Sequence, residues 1–266
     1  MAVSTGLAEN AGQSASIAPQ VMVGSSATVA GGAMIAPSSS VAGNAMIAPS
    51  ASVARRAMID GQLRVSGITD ATVIAAMGAL PREPFVPAGA RATAYIDRAV
   101  PLGEGSTNER RFLAPPLSHG AMLTEAAPTL ADAVLLVGGG TGYLAALLAP
   151  LVGSLHVVES AAELAEAAPE RAGQWTTGPL AQGVKAGAPY TLIVIDGTIA
   201  QFPNSLGDQL ADDGRVVTGL IERGVARLAI GRKAAGPISY SVGFLTLGEI
   251  DLAPLAEFAE LRQWSF

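Results

Sequence analysis

Cysteine is absent from the 266 residues, which excludes disulfides and zinc–thiolate centres and suits a reducing compartment. Histidine occurs only at positions 119 and 156, and no metal cluster, phosphate loop or basic aromatic surface is visible. Charge is scarce at the amino end, where residues 1–54 carry only Glu9. The formal net charge of −6 therefore belongs to the rest of the chain and argues against binding nucleic acid through its phosphates. MAVSTGLAENAG lacks the basic and apolar regions of a signal peptide, so none is expected. Residues 133–158 carry no formal charge, a run long enough to suggest a membrane span. Gly138-Gly139-Gly140-Thr141-Gly142 interrupts it, and four glycines in five residues make a poor helix interior. A buried strand, a turn and a buried helix explain the same apolarity. The expectation is a soluble, cytoplasmic protein with no membrane or nucleic-acid partner.

What the amino end does contain is a repeat. VMVGSSATVAGG (21–32), AMIAPSSSVAGN (33–44), AMIAPSASVARR (45–56) and AMIDGQLRVSGI (57–68) share a twelve-residue frame. Within it Val or Ile recurs every six residues, at Ile17, Val23, Val29, Ile35, Val41, Ile47, Val53, Ile59 and Val65. That is the hexapeptide pattern of a left-handed parallel β-helix, but residues 17–52 supply only about two coils where at least about three repeats are needed. A low-complexity tail expanded by duplication is the preferred alternative. A monomer is expected, with residues 17–51 as the route to any oligomer. The last block also reads as an amphipathic helix through Met58, Ile59 and Leu63, and the helix should win from about Ser52 because it has a core to pack against. The chain then divides into an extension (1–52) and a domain (53–266), the latter a helical and looped cover (53–130) on a core (131–266).

Along the domain, 69–80 predicts a helix capped by Thr69 and stopped before Pro81. Residues 81–116 read as loop and 116–127 as a short helix. Strands are predicted at 133–137, 154–159, 190–196 and 214–220, with helices at 143–152, 160–172 and 205–213. Such alternation implies an α/β fold with a mostly parallel sheet covered on both faces. Residues 225–233 and 238–245, without a helix between them, predict an antiparallel pair at the carboxyl-terminal edge.

Gly138, Gly140 and Gly142 fall between a predicted strand and helix, where glycine permits a sharp turn and close approach of a ligand to the backbone. Glu159 ends the next strand, where a carboxylate can accept hydrogen bonds from two ribose hydroxyls. The spacing is GxGxG rather than GxGxxG, favouring S-adenosylmethionine over a dinucleotide.

AMIDGQLRVSGITDATVIAAMGALPREPFVP, AYIDRAVPLG and VLLVGGGTGYLAALLAPLVGSLHVVE resemble the protein-L-isoaspartate O-methyltransferases over roughly residues 53–266. The most specific markers are residues 81–87 (PREPFVP), Tyr95-x-Asp97 and Gly142-Tyr143. The resemblance implies a Rossmann-like sheet that binds S-adenosylmethionine and esterifies isoaspartyl carboxylates in damaged proteins. It implies a cofactor site of Gly138, Gly139, Gly140, Gly142, Tyr143 and Glu159, with Pro179 and Leu180 beside adenine. Phe112, Leu113, Ala114 and Pro115 would form the wall between donor and acceptor.

The sequence also departs from that pattern. Leu113 stands at the family's Ser/Thr position beside the reacting groups, and Leu136, Pro179 and Thr191 stand where acids are usual. An isoaspartyl carboxylate titrates near about 4, is ionised at neutral pH and needs no general base. Losing the hydroxyl removes one orienting hydrogen bond, worth roughly 0.5–3 kcal/mol. Ser118 and His119 are the candidate substitutes, and the alternative reading is a non-catalytic relative that binds cofactor or peptide. His156 reads as structural, Trp175 as packing and Trp264 as part of a covering tail. Asp196 ends a strand and either lines the cleft or caps a turn.

Overall fold

The computed structural model describes residues 50–103, 111–235 and 240–259. The repeat blocks before residue 50, and Trp264, lie outside the described residues. Helix α1 (Ala51–Met58) runs into one wider π turn, Ile59–Leu63. Met58, Ile59 and Leu63 are buried, so the last repeat block is helical where its apolar stripe meets a core. Helix α2 (Ala71–Ala79) is capped by Asp70, whose carboxylate accepts the Val73 N–H at 2.9 Å, and not by Thr69. The chain enters the helix one residue later than predicted, and Leu80 turns extended ahead of Pro81. The stretch expected as loop holds two 3-10 turns and a short ladder of β1 (Val100–Pro101) with β2 (Phe112–Leu113). Helix α3 (Pro116–Ala126) follows, with Asp97 accepting the Leu117 N–H at its start.

The core sheet comprises β3 (Ala133–Val137), β4 (Ser154–Glu159), β5 (Gln174–Thr177), β6 (Tyr190–Ile199), β7 (Leu210–Glu222), β8 (Val225–Ala235) and β9 (Tyr240–Glu249). Their order is β5-β4-β3-β6-β7-β8-β9. β3 to β7 run parallel, and β8 and β9 add an antiparallel edge. The two arms differ because their connections differ. Helices α4 (Tyr143–Leu148), α5 (Ala162–Glu166) and α6 (Asn204–Gly207) carry the chain across within the parallel part. β7 and β8 instead close on Arg223-Gly224, at φ 51° and 82°, as a two-residue hairpin turn requires.

Three helices are shorter than their apolar pattern predicts. The 143–152 helix tightens into a 3-10 turn at Ala149–Leu151, around Pro150. The 160–172 helix ends at Glu166, ahead of Pro169, whose ring and missing N–H stop a helix. The 205–213 helix is a single turn, because Leu210 already pairs with Tyr190 and the strand takes residues 210–213. β5 was not in the predicted pattern: it is four residues long with only Trp175 half-buried.

Alternate residues divide between the faces. Val134, Leu136, Val157, Leu192 and Val194 pack under α1–α4 and the cover. Leu135, Val137, Val158, Ile193 and Ile195 pack on the opposite face with Leu180, Leu206, Leu255 and Phe258. His156 stacks edge-on against Tyr190 at 5.8 Å, a packing role as expected.

Candidate active site

Strand order reverses between β3 and β6, since β3 leads to β4 on one side and β6 to β7 on the other. The crevice at the carboxyl ends of those strands is where open α/β sheets bind ligands. Gly138 follows β3 there, and a Cβ on it would lie 3.3 Å from the Asp196 carbonyl of β6. Gly138, Gly140 and Gly142 all take positive φ, at 83°, 53° and 91°. Gly139 is demanded by packing instead: a Cβ would lie 2.5 Å from Val157 Cγ1 and 2.8 Å from the Trp175 ring. Trp175 thus packs under the turn, its indole N–H held by the Ala172 carbonyl at 2.9 Å. Gly178 donates to the Glu159 carbonyl, bringing Pro179 beside the end of β4, with Pro179 exposed and Leu180 buried in the core.

Glu159 is fully buried, and its carboxylate has four donors. Oε2 accepts from the Gly140 N–H at 2.6 Å and from Arg111 Nη2 at 2.7 Å. Oε1 accepts from the Ala161 N–H at 3.0 Å and from Arg111 Nη1 at 2.9 Å. Arg111 reaches it from β2's threshold across 48 residues, its side chain 9% exposed. From the sequence Arg111 is only the first residue of the 111–116 wall, and its pairing with Glu159 is not readable, since nothing in Arg110-Arg111 tells which cation meets a buried acid.

A second polar chain lies behind the glycine turn. Arg82, with no exposed surface, donates to the carbonyls of Ala94 and Ala114, and its Nη1 lies 3.5 Å from His119 Nδ1. His119 Nε2 lies 3.2 Å from Asp196 Oδ1, and Asp196 is 13% exposed. The buried cation is thereby linked through an imidazole to a carboxylate at the crevice. Burial pulls the Arg82 guanidinium below its ordinary value, against opposing contributions from Tyr143 and Asp196. The Tyr143 ring packs among Phe85, His119 and the Arg82 guanidinium, 4.6 Å from the last.

The family markers explain themselves here. The Arg82 N–H donates to the Tyr95 hydroxyl at 3.1 Å, and that hydroxyl donates to Glu83, so the PREPFVP turn and Tyr95 lock the cover together. Leu113 and Ala114 are buried with Pro115, Phe112 is half-buried, and Leu113 packs in the core. Of the candidate substitutes, His119 turns to Asp196. Ser118 lines a separate cavity of about 450 Å³ with Asp97, Leu228, Ile250 and Asp251. Thr191, which stands where an acid is usual, lies at the start of β6, away from the crevice, where its hydroxyl donates to Asp132 at 2.7 Å.

The family model for protein-L-isoaspartate(D-aspartate) O-methyltransferase matches residues 54–242. The chain belongs to that family. A protein-L-isoaspartate O-methyltransferase from Koribacter versatilis is 38% identical over 185 residues, 67% of this chain and 81% of its own. A solved protein-L-isoaspartate O-methyltransferase superposes with a TM-score of 0.59 at 21% identity, covering 74% of this chain and 65% of that one. A Plasmodium falciparum structure described by the same activity, in complex with S-adenosyl-L-homocysteine, gives 0.62 at 16% identity over 76% and 98%. These two structural likenesses establish the fold: an α/β, Rossmann-like sheet, mostly parallel, with an antiparallel edge. Among the described residues, no helix is long and apolar enough to cross a membrane.

Proposed function

We propose that the protein is an S-adenosylmethionine-dependent methyltransferase that esterifies isoaspartyl carboxylates in damaged proteins, acting in the cytoplasm. Family membership over residues 54–242 carries this reading, together with a glycine turn and a buried terminal acid at the switch point. The turn at 138–142 would receive the cofactor against its backbone, Glu159 its ribose, and the segment at Pro179 and Leu180 its adenine. When bound, the cofactor supplies a methyl group on a sulfonium, which passes to a carboxylate oxygen and leaves a thioether and a methyl ester. No proton changes hands, so this chain's residues work by orienting the acceptor and excluding water. Leu113, Ala114 and Pro115 supply a dry wall. The Arg82–His119–Asp196 chain supplies fixed polar groups behind it.

The test is transfer of isotope-labelled methyl to an isoaspartyl peptide and to its aspartyl twin. Label on the isoaspartyl peptide alone supports the proposal. Binding of S-adenosyl-L-homocysteine by calorimetry without turnover would instead favour a binding-only relative, the reading that the Leu113 departure supports.

A further inference from the structure

Glu159 has no acceptor capacity to spare. A carboxylate offers about four lone-pair positions, and here two are filled by backbone amides and two by the Arg111 fork. The amides of Gly140 and Ala161 belong to the turn and the strand end and cannot leave without dismantling them. Only Arg111 can give way to a ribose diol. On Glu159 the Arg111 side chain is 9% exposed, and a guanidinium displaced within so sheltered a crevice gains most from an anionic partner.

Its position says where that partner arrives. The Arg111 carbonyl accepts from Leu102 N–H at 3.1 Å, which extends the β1–β2 ladder by one residue. Side chains alternate along a strand, so Arg111 and Leu113 share one face and Phe112 takes the other. Leu113 stands where the family resemblance implies a hydroxyl beside the acceptor. Arg111 Nη2 also sits 3.7 Å and 3.9 Å from where a Cβ on Gly138 and Gly140 would be, at the crevice itself.

We propose that Arg111 is the acceptor-binding residue of this chain, held in reserve on Glu159 until the ribose site is filled and then free to grip the acceptor's carboxylate. This rests on the function proposed above. It gives a chain lacking the family hydroxyl a stronger, two-armed donor for the same anion. It also orders binding, because Arg111 is unavailable to the acceptor while Glu159 holds it.

The two roles predict effects of opposite sign, which a merely structural residue would not give. In Arg111→Gln, calorimetry should show S-adenosyl-L-homocysteine binding roughly tenfold tighter, because nothing competes for Glu159. Methylthioadenosine, which has no carboxylate, should tighten by the same factor. KM for an isoaspartyl peptide should rise roughly tenfold or more, with kcat less affected. Arg111→Lys keeps a cation on Glu159 and carries the test if the Gln variant does not fold: both shifts should keep their signs and shrink. Weaker S-adenosyl-L-homocysteine binding with methylthioadenosine unchanged would assign Arg111 to the cofactor's own carboxylate and overturn the proposal. An unchanged peptide KM overturns it too. If wild type binds neither nucleoside, the functional reading fails and the proposal with it. If both proteins bind and methylate alike, the proposal alone fails.

Discussion

Asp132 and Arg215 meet as a two-armed pair at the amino-terminal ends of the strands, Nη1 to Oδ1 and Nη2 to Oδ2, each at 2.9 Å. Arg215 also donates to the carbonyls of Ala126 and Ala127, closing the left-handed end of α3. One guanidinium therefore ties β7 to the start of β3 and to the cover. Burial opposes ionisation of Asp132, but hydrogen bonds from Arg215, Thr191 and Thr129 outweigh it and hold the carboxyl well below the usual range. A depressed folded value means the stability is fully present above the unfolded value of 3.8 and is lost as pH falls below it. Asp132→Asn should flatten the acid limb of a stability–pH curve. Arg215→Ala should cost roughly 3–5 kcal/mol in denaturant melts near neutral pH, by stranding a buried carboxylate.

Arg82→Ala should destabilise by roughly 2–6 kcal/mol, since each buried carbonyl left unsatisfied costs about 1–3 kcal/mol. It leaves two buried carbonyls without their donor and His119 without its neighbour. Arg82→Lys should recover only part, since one ammonium cannot span Ala94, Ala114 and His119 at once. Thermal melts of both variants decide it, and equal melting of wild type and Lys variant would refute the need for a fork.

The tyrosines give an alkaline counterpart. Burial pushes Tyr95, Tyr190 and Tyr240 up to about 12 and raises Tyr143 as well, with the hydrogen bonds to Glu83 and Asp208 adding at Tyr95 and Tyr240. Above the ordinary value of 10.0, the unfolded chain releases phenolic protons that the folded chain keeps, so stability falls as pH rises past it. Ultraviolet difference titration should show little phenolate at that pH in the native protein, then release of all four together with unfolding.

Gly139→Ala should cost roughly 1–3 kcal/mol by overpacking against Val157 and Trp175. Because the same residue shapes the turn, calorimetry should also show weaker binding of S-adenosyl-L-homocysteine. A variant that melts like wild type would mean the Trp175 ring moves aside freely.

The sheet was legible because β3, β4 and β6 are apolar runs bounded by turns, and the glycine turn and Glu159 lie at their ends. β5 escaped because an edge strand with one half-buried Trp has no apolar run to read. Residues 205–213 misled because LGDQLADD is helix-like on its own, and only pairing with β6 makes its end a strand. The individual glycine and acid positions were readable, but their partners were not. Arg82, Arg111 and Asp196 act across gaps of 37 to 77 residues, and sequence spacing carries no record of such meetings. Thr191, where an acid is usual, shows how little a motif departure says by itself: its hydroxyl makes a bond at the end of the strand away from the crevice.

The strand order has a consequence for synthesis. β3, β4, β5 and β6 leave the ribosome before β7 exists, yet β6 lies between β3 and β7 in the finished sheet. Until residues 210–222 emerge, the ten-residue outer edge of β6 has no partner, and such edges invite pairing with other chains. The segment that covers it then arrives with its own two-residue turn and with Arg215, which reaches back to Asp132 at the start of the sheet. The nascent domain is sealed from its late-made side, so interruption of synthesis before residue 210 leaves an open, aggregation-prone half-sheet.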